Sequence, residues 1–347
     1  MLIDRSRTAW PEQLGLGVFR AQLSPSVAKT GPRRQAYQTG LTQTEEFWRA
    51  AASVSALTSP VLRFYAVKQV CGAIIAASNL DDKQWKSASG HGLKVTGITQ
   101  KTGTVPDLTT VLVEPNGKST PQLLADILGS AALGGPATLV DLIAALPTQS
   151  VFAGRSDAYR LPIRIDLASG DSATADLDIV DGLSASFPVP DEVIEITRDI
   201  VDQEFRPYPS LISLPPWRRA EIWPGYPDRS KSWLRLIYEP GSWNGYFDLA
   251  PHVDEWRAPS NGRKDLHAIA FPSVGGNTAA QHPLVTWYLV LYAFSMIARY
   301  YPGEWRSLLD KDRNPLAAHI ERLIDVDAYE AIRLAGGVLQ QIIRGTE

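Results

Sequence analysis

From Ser59 to Ser78 the chain reads SPVLRFYAVKQVCGAIIAAS, and Val61, Phe64, Tyr65, Val70, Cys71, Ile74 and Ile75 leave little of its circumference polar. Such a segment makes a helix buried on most sides. Ser59 followed by Pro60 is a helix-start signal, because proline has no N–H to lose in the first turn. Upstream, Thr42 and Glu45 have capping-box spacing ahead of Phe47, Trp48 and an alanine-rich run. A second apolar run, PLVTWYLVLYAFSMIA, extends from Pro283 to Ala298, opened by His282-Pro283 and stopped by Pro302-Gly303. A membrane-spanning helix needs about 20 such residues, so this run predicts a buried core helix and no membrane span. Residues 43–80 and 282–301 are therefore expected to be helices of one buried core. A last amphipathic helix is predicted after an Asp325 cap, with Tyr329, Ile332, Leu339, Ile342 and Ile343 on one stripe.

The middle has a different texture. LTTVLVEP followed by Asn116-Gly117 predicts a strand and a turn, and YRLPIRIDL and ATADLDIVD around ASGDS predict a hairpin. WLRLIYEP and the stretch around Ala268 to Phe271 are also strand-like, while PQLLADILG, TLVDLIAAL and PDEVIEITRDIVDQEF carry helical patterns. Residues 1–40, rich in Pro, Gly and Ser, predict an irregular arm. The expected fold class is α+β. One domain, 1–347, has a helical core of about 41–90 and 281–345, interrupted by a mixed, β-rich insertion of about 91–280. Two separate domains are the alternative.

Composition narrows the function classes. A net charge of -3 over 347 residues argues against a generally basic, nucleic-acid-coating protein, although a local basic patch remains compatible with it. A lone cysteine, Cys71, rules out an intramolecular disulfide and a multi-cysteine zinc site. It suits a reducing compartment, and the amino-terminal residues lack a secretory pattern, so a cytoplasmic protein is expected. Nothing calls for a cofactor or a metal. Asn116-Gly117-Lys118-Ser119 fails as a phosphate loop, because Leu112 stands where its first glycine belongs.

Three features carry candidate chemistry. His91, in SGHGLKV, is a histidine between glycines just past the second helix, suited to acid–base work or ligation, or to bonding the local backbone. Arg313, Asn314 and His319, in RNPLAAH, pair a phosphate-stabilising cation with an acid–base group. The alternative is a plain surface helix entry with Asn314 as its cap, ahead of Pro315. Arg299 at the end of the apolar run is a rival partner for His91. The third feature is the window 205–235, where Arg206, Arg218, Arg219, Arg229, Lys231 and Arg235 interleave with Tyr208, Trp217, Trp223, Tyr226 and Trp233, leaving a surplus of four positive charges. That pattern suits phosphate contact plus base stacking, with Trp217, Trp223, Arg218, Arg219, Arg229 and Lys231 as ligand contacts. Core tryptophans covered by arginine stems are the alternative.

The segments TSPVLRFYAVKQVCGAIIAAS, SGHGLK and HPLVTWYLVLYAFSMIARYYPGEW resemble the YaaC-like family of bacterial proteins, from about residue 40 onward. The first two also resemble, more weakly, HEPN-type helical proteins. The YaaC-like resemblance implies an architecture. The HEPN-type resemblance implies a helical bundle that cleaves or binds RNA and often pairs into a homodimer. The expected function is a cytoplasmic protein binding RNA or a nucleotide. The alternative is a metal-independent, HEPN-like ribonuclease of bacterial defence or stress responses.

Overall fold

The computed structural model describes residues 16–29, 31–86, 90–98, 104–117, 119–146, 163–169, 180–189, 206–208, 219–224, 232–238, 267–277 and 279–345. The amino-terminal elements are α1 (Leu16–Ala21), α2 (Pro25–Lys29), α3 (Gly31–Ala52), α4 (Ser59–Ala77) and α5 (Asp82–Lys86). A small antiparallel sheet, in order β1-β2-β3, joins Leu93–Thr96, Leu112–Pro115 and Ala137–Thr138. It is accompanied by α6 (Thr120–Ile127) and α7 (Leu139–Ala144). A second antiparallel sheet has five strands in the order β6-β7-β5-β4-β8. Its strands are β4 (Ile163–Ser169), β5 (Val180–Val189), β6 (Arg219–Pro224), β7 (Ser232–Tyr238) and β8 (His267–Ala270). The chain closes with α8 (Pro283–Tyr300), α9 (Pro302–Leu308), α10 (Ala317–Arg322), a π-helical turn (Leu323–Asp327) and α11 (Tyr329–Arg344). Helices and antiparallel sheets in separate stretches make this an α+β fold.

The core lies where α4 packs against α3, α8 and α11. α8 is buried from Pro283 to Ser295 without interruption, and Trp287, Tyr288 and Phe294 are among the largest sealed side chains. Its apolar run thus makes a helix enclosed on all sides. α4 is also long and apolar enough to cross a membrane, by length and composition only, but 67% of it is buried within the protein. The first part of the expected insertion joins this same core, because Leu93, Val113, Leu124, Leu139 and Ile143 belong to one apolar cluster with α4 and α8. Turn chemistry holds there too: Gly117 has φ 82°, and the Thr138 hydroxyl caps α7 by accepting from Asp141 N at 3.1 Å.

Several expectations need correction. The described part of the predicted irregular arm is helical, with α1, α2 and the first turns of α3 all preceding residue 41. Tertiary contact explains it. Tyr37 is sealed and donates to Phe19 O at 2.9 Å, while Gly40 faces α4 so closely that a Cβ there would sit 2.9 Å from Gln69 O. The predicted start at Thr42 is in mid-helix. Its hydroxyl bonds back to Gln38 O at 3.0 Å, and the Glu45 carboxylate pairs with Arg20 of α1. Asp325 lies inside the π-turn, where its carboxylate faces Arg63 at 3.6 Å, and α11 starts at Tyr329. In the hairpin, β5 pairs with β4 from Ile165↔Ala185 to Ser169↔Val180, and residues 173–179 of the second predicted strand lie outside the described residues. The pattern over 190–205 falls outside the described residues.

Candidate functional site

The site forms where one face of α4, the carboxyl end of α8 and the loop entering β1 converge. α4 supplies Phe64, Tyr65 and Lys68, one helical turn apart. α8 supplies Tyr292 and, two turns on, Arg299, with Tyr300 beside it. The Gly90-His91-Gly92 loop is held from both sides. Thr120 Oγ1 donates to Gly90 O at 3.1 Å, Asn116 N to Gly92 O at 2.7 Å, and Tyr292 Oη to Leu93 O at 2.7 Å. Glycine at 92 is required by geometry: φ is +57°, and a Cβ would fall 1.9 Å from Ser119 Cβ. The His91 ring consequently packs against Phe64 and Tyr292, with centroids 5.2 and 5.6 Å away, and its Nδ1 is buried.

The outer rim is cationic and aromatic. Arg299 Nη1 donates to Tyr65 Oη at 3.3 Å and Nη2 to Tyr300 Oη at 3.2 Å, and its guanidinium lies 5.0 Å from the Tyr300 ring centroid. Tyr65 stacks on Phe47 of α3 at 5.6 Å. Tyr300 is 55% exposed, so the rim opens to solvent. Burial lowers the pKa of His91 below its ordinary 6.5, and the charges of Lys68 and Arg299 lower it further. Burial also lowers the Lys68 pKa. For Tyr292, burial and Tyr300 raise the pKa, while Arg299 opposes them. Among the described residues, no carboxylate pairs with Lys68 or Arg299 and none offsets their effect on His91. The arrangement sets an imidazole of lowered pKa beside several tyrosine rings and two cations that have no carboxylate partner among the described residues.

A titration follows from this. The His91 ring-proton NMR signal is expected to titrate with a midpoint below 6.5, and Lys68→Gln to move that midpoint upward by removing one repelling charge. The sign for stability is fixed by the same shift. Below 6.5 the unfolded chain binds the His91 proton more readily than the folded one, so this group's contribution weakens as pH falls through that window. A midpoint at or above 6.5 in the folded protein would contradict the placement of Lys68 and Arg299 beside it.

The sequence candidates are distributed unevenly. His91 and Arg299, 208 positions apart, reach the same site through neighbouring residues of α4: His91 packs on Phe64, and Arg299 donates to Tyr65. Arg313, Asn314 and His319 lie on the turn before α10 and on α10 itself. Asn314 is buried with its side chain committed to the backbone: Nδ2 donates to Leu308 O at 2.6 Å, and Oδ1 accepts from Leu316 N at 3.0 Å. Its amide caps the turn into α10 and is not free for a ligand. Arg313 and His319 are exposed, and among the described residues no hydrogen bond, ion pair or ring contact joins them to His91 or Arg299. In the basic-aromatic window, Arg219 and Trp223 occupy β6, in register with Ile237 and Trp233 of β7. Arg206 is exposed and Tyr208 buried, whereas Trp217, Arg218, Arg229 and Lys231 lie outside the described residues. Four further site residues, Tyr65, Lys68, Tyr292 and Tyr300, lie in the two apolar helices without a chemical motif to mark them. Helical spacing puts Tyr65 with Lys68 and Tyr292 with Arg299, but only the packing of α4 on α8 joins the pairs.

A family model described as YaaC-like Protein matches residues 21–336, which takes in α3, α4, the His91 loop, both sheets and all of α8. The chain belongs to the YaaC-like family. Comparison with curated proteins and with solved structures gives no significant match. The chemistry of this YaaC-like chain therefore has to be argued from its own residues, with His91, Lys68, Arg299 and the surrounding tyrosines as the arrangement to explain.

Proposed function

We propose that this YaaC-like protein binds a nucleotide or single-stranded nucleic acid at the cationic, tyrosine-lined site around His91. The observation that carries the proposal is the pair Lys68 and Arg299, set beside aromatic rings with no carboxylate partner among the described residues. Cations left unpaired at a rim favour an anion, and a guanidinium is a strong donor to phosphate oxygens. The exposed Tyr300 ring offers a face for a base, which stacks with little sequence preference. A cytoplasmic setting and a homodimer belong to this proposal.

Titration of a fluorescent single-stranded RNA at several salt concentrations tests it. The expected affinity falls as salt rises, because phosphate contacts release counterions. Lys68→Gln combined with Arg299→Gln is expected to weaken binding by roughly tenfold or more, two charge-assisted contacts being lost. Salt-independent binding, or a double variant that binds as well as the parent, would remove the nucleic-acid reading from this site.

One observation favours a second reading, a HEPN-like helical core acting as a metal-independent ribonuclease. His91 is held uncharged near neutral pH beside a guanidinium. A neutral imidazole can take the proton of a ribose 2′-hydroxyl as it attacks the adjacent phosphorus. The bond from phosphorus to the 5′-oxygen breaks, leaving a 2′,3′-cyclic phosphate and a 5′-hydroxyl protonated by water, and arginine can stabilise the charge that develops. Labelled RNA incubated with a metal chelator separates the readings. Cleavage lost in His91→Ala and kept in His319→Ala supports catalysis at His91; equal cleavage by all three proteins points to a contaminant.

A further inference from the structure

We infer that the group held between Lys68 and Arg299 is a terminal phosphate monoester on a nucleoside, and not an internal phosphodiester of a strand passing through. The inference rests on the nucleotide-binding reading above and narrows its ligand. Three observations support it.

The first is charge. Lys68 lies one helical turn past Phe64 and Tyr65 on α4. The Phe64 ring packs on His91 and the Tyr65 hydroxyl accepts from Arg299, so the two cations border one imidazole and do not follow a track. With His91 uncharged and no carboxylate nearby among the described residues, that point carries two positive charges. A phosphate monoester brings about -1.5 to -2 at neutral pH, which matches. An internal diester brings a single negative charge.

The second is the count of donors. Arg299 uses two N–H groups on Tyr65 Oη and Tyr300 Oη, so each of these hydroxyls accepts from Arg299 and retains its own hydrogen to donate. Together with the remaining guanidinium N–H groups and the Lys68 ammonium, the rim offers donors for three terminal oxygens. A diester has two.

The third is the shape of the wall. On the inner side, Phe64 and Tyr292 are buried against the His91 ring, and the Tyr292 hydroxyl is spent on Leu93 O. On the outer side, Arg299 and Tyr300 are exposed, and Arg299 lies over the Tyr300 ring while leaving it 55% accessible. A strand needs an entrance and an exit, whereas this site is closed behind His91 and opens past Tyr300. An end-group fits it, with its nucleoside stacked on the exposed ring.

The phosphate can come from a free nucleotide or from the end of a strand, and binding assays on the full chain distinguish them. The probes are adenosine 5′-monophosphate against adenosine, and one RNA octamer carrying a 5′-phosphate, a 3′-phosphate or hydroxyls at both ends. The expected result is at least a tenfold preference for a phosphorylated probe over its hydroxyl counterpart. That preference should disappear in Lys68→Gln and in Arg299→Gln and return in part in Arg299→Lys, with thermal unfolding of each variant checked by circular dichroism. A preference shown by the mononucleotide assigns a free nucleotide; one confined to an octamer assigns that strand end. Equal affinity for phosphorylated and hydroxyl octamers overturns this inference while leaving nucleic-acid binding intact. A preference that survives both substitutions also overturns it. Failure of every probe to bind removes both.

Discussion

Trp287→Ala is expected to lower the unfolding free energy by roughly 3–5 kcal/mol, the range for truncating a large sealed aromatic side chain. Trp287 is fully buried on α8 and touches α11 through its indole, whose Nε1 donates to Glu330 Oε2 at 3.3 Å. Truncation leaves a cavity between α8 and α11 and takes a donor from a carboxylate that is itself buried. Trp287→Phe keeps most of the ring and isolates the hydrogen bond, and is expected to cost about 1–3 kcal/mol. Urea unfolding followed by circular dichroism measures both. If Trp287→Ala shifted the midpoint no more than Trp287→Phe, the α8–α11 contact would be far looser than the packing indicates.

The second large effect is expected at Gly92, and it couples stability to the site. Placing a side chain in the left-handed region costs roughly 1–2 kcal/mol. Here the new Cβ would also lie 1.9 Å from Ser119 Cβ, so the loop or the start of α6 has to move. Overpacking of that kind adds about 1–3 kcal/mol. Because His91 directly precedes Gly92, Gly92→Ala is expected to displace the imidazole from Phe64 and Tyr292 and to weaken binding of the phosphorylated probes several-fold. Gly117→Ala provides the control. Its φ is +82°, but no atom lies within 4 Å of the added Cβ, so it should pay the backbone cost and leave binding unchanged. Equal affinity of the two variants would separate the His91 loop from the ligand.

Much of the helical core was legible because α4 and α8 are buried nearly all round. A helix that meets protein on every side needs few polar positions, and the sequence between Pro283 and Ala298 contains none that are charged. Turn residues were legible for a related reason: Gly117 and Thr138 act on backbone within a few residues of themselves. The start of α3 was not. Thr42 and Glu45 have the spacing of a cap, but the helix extends back to Gly31 because Tyr37 and Gly40 pack on distant segments. Glu45 meanwhile pairs with Arg20 of α1. Local chemistry proposed one boundary and long-range burial imposed another.

The site divides in the same way. His91 and Arg299 stand out in the sequence as polar punctuation at the exits of two apolar helices, and Asn314 stands out as either ligand or cap. Which of those roles each side chain takes depends on what faces it. Asn314 meets Leu308 O and Leu316 N and is consumed as a cap, whereas His91 meets two aromatic rings within the field of two cations. Tyr65, Lys68, Tyr292 and Tyr300 lie within the family-like segments, but no chemical motif marks them as a site. Helical periodicity fixes which residues share a face, and that much the sequence determined by itself. The rotation of α4 and α8 that turns those faces toward one loop depends on core contacts between segments more than 200 residues apart, and only the tertiary structure decided it.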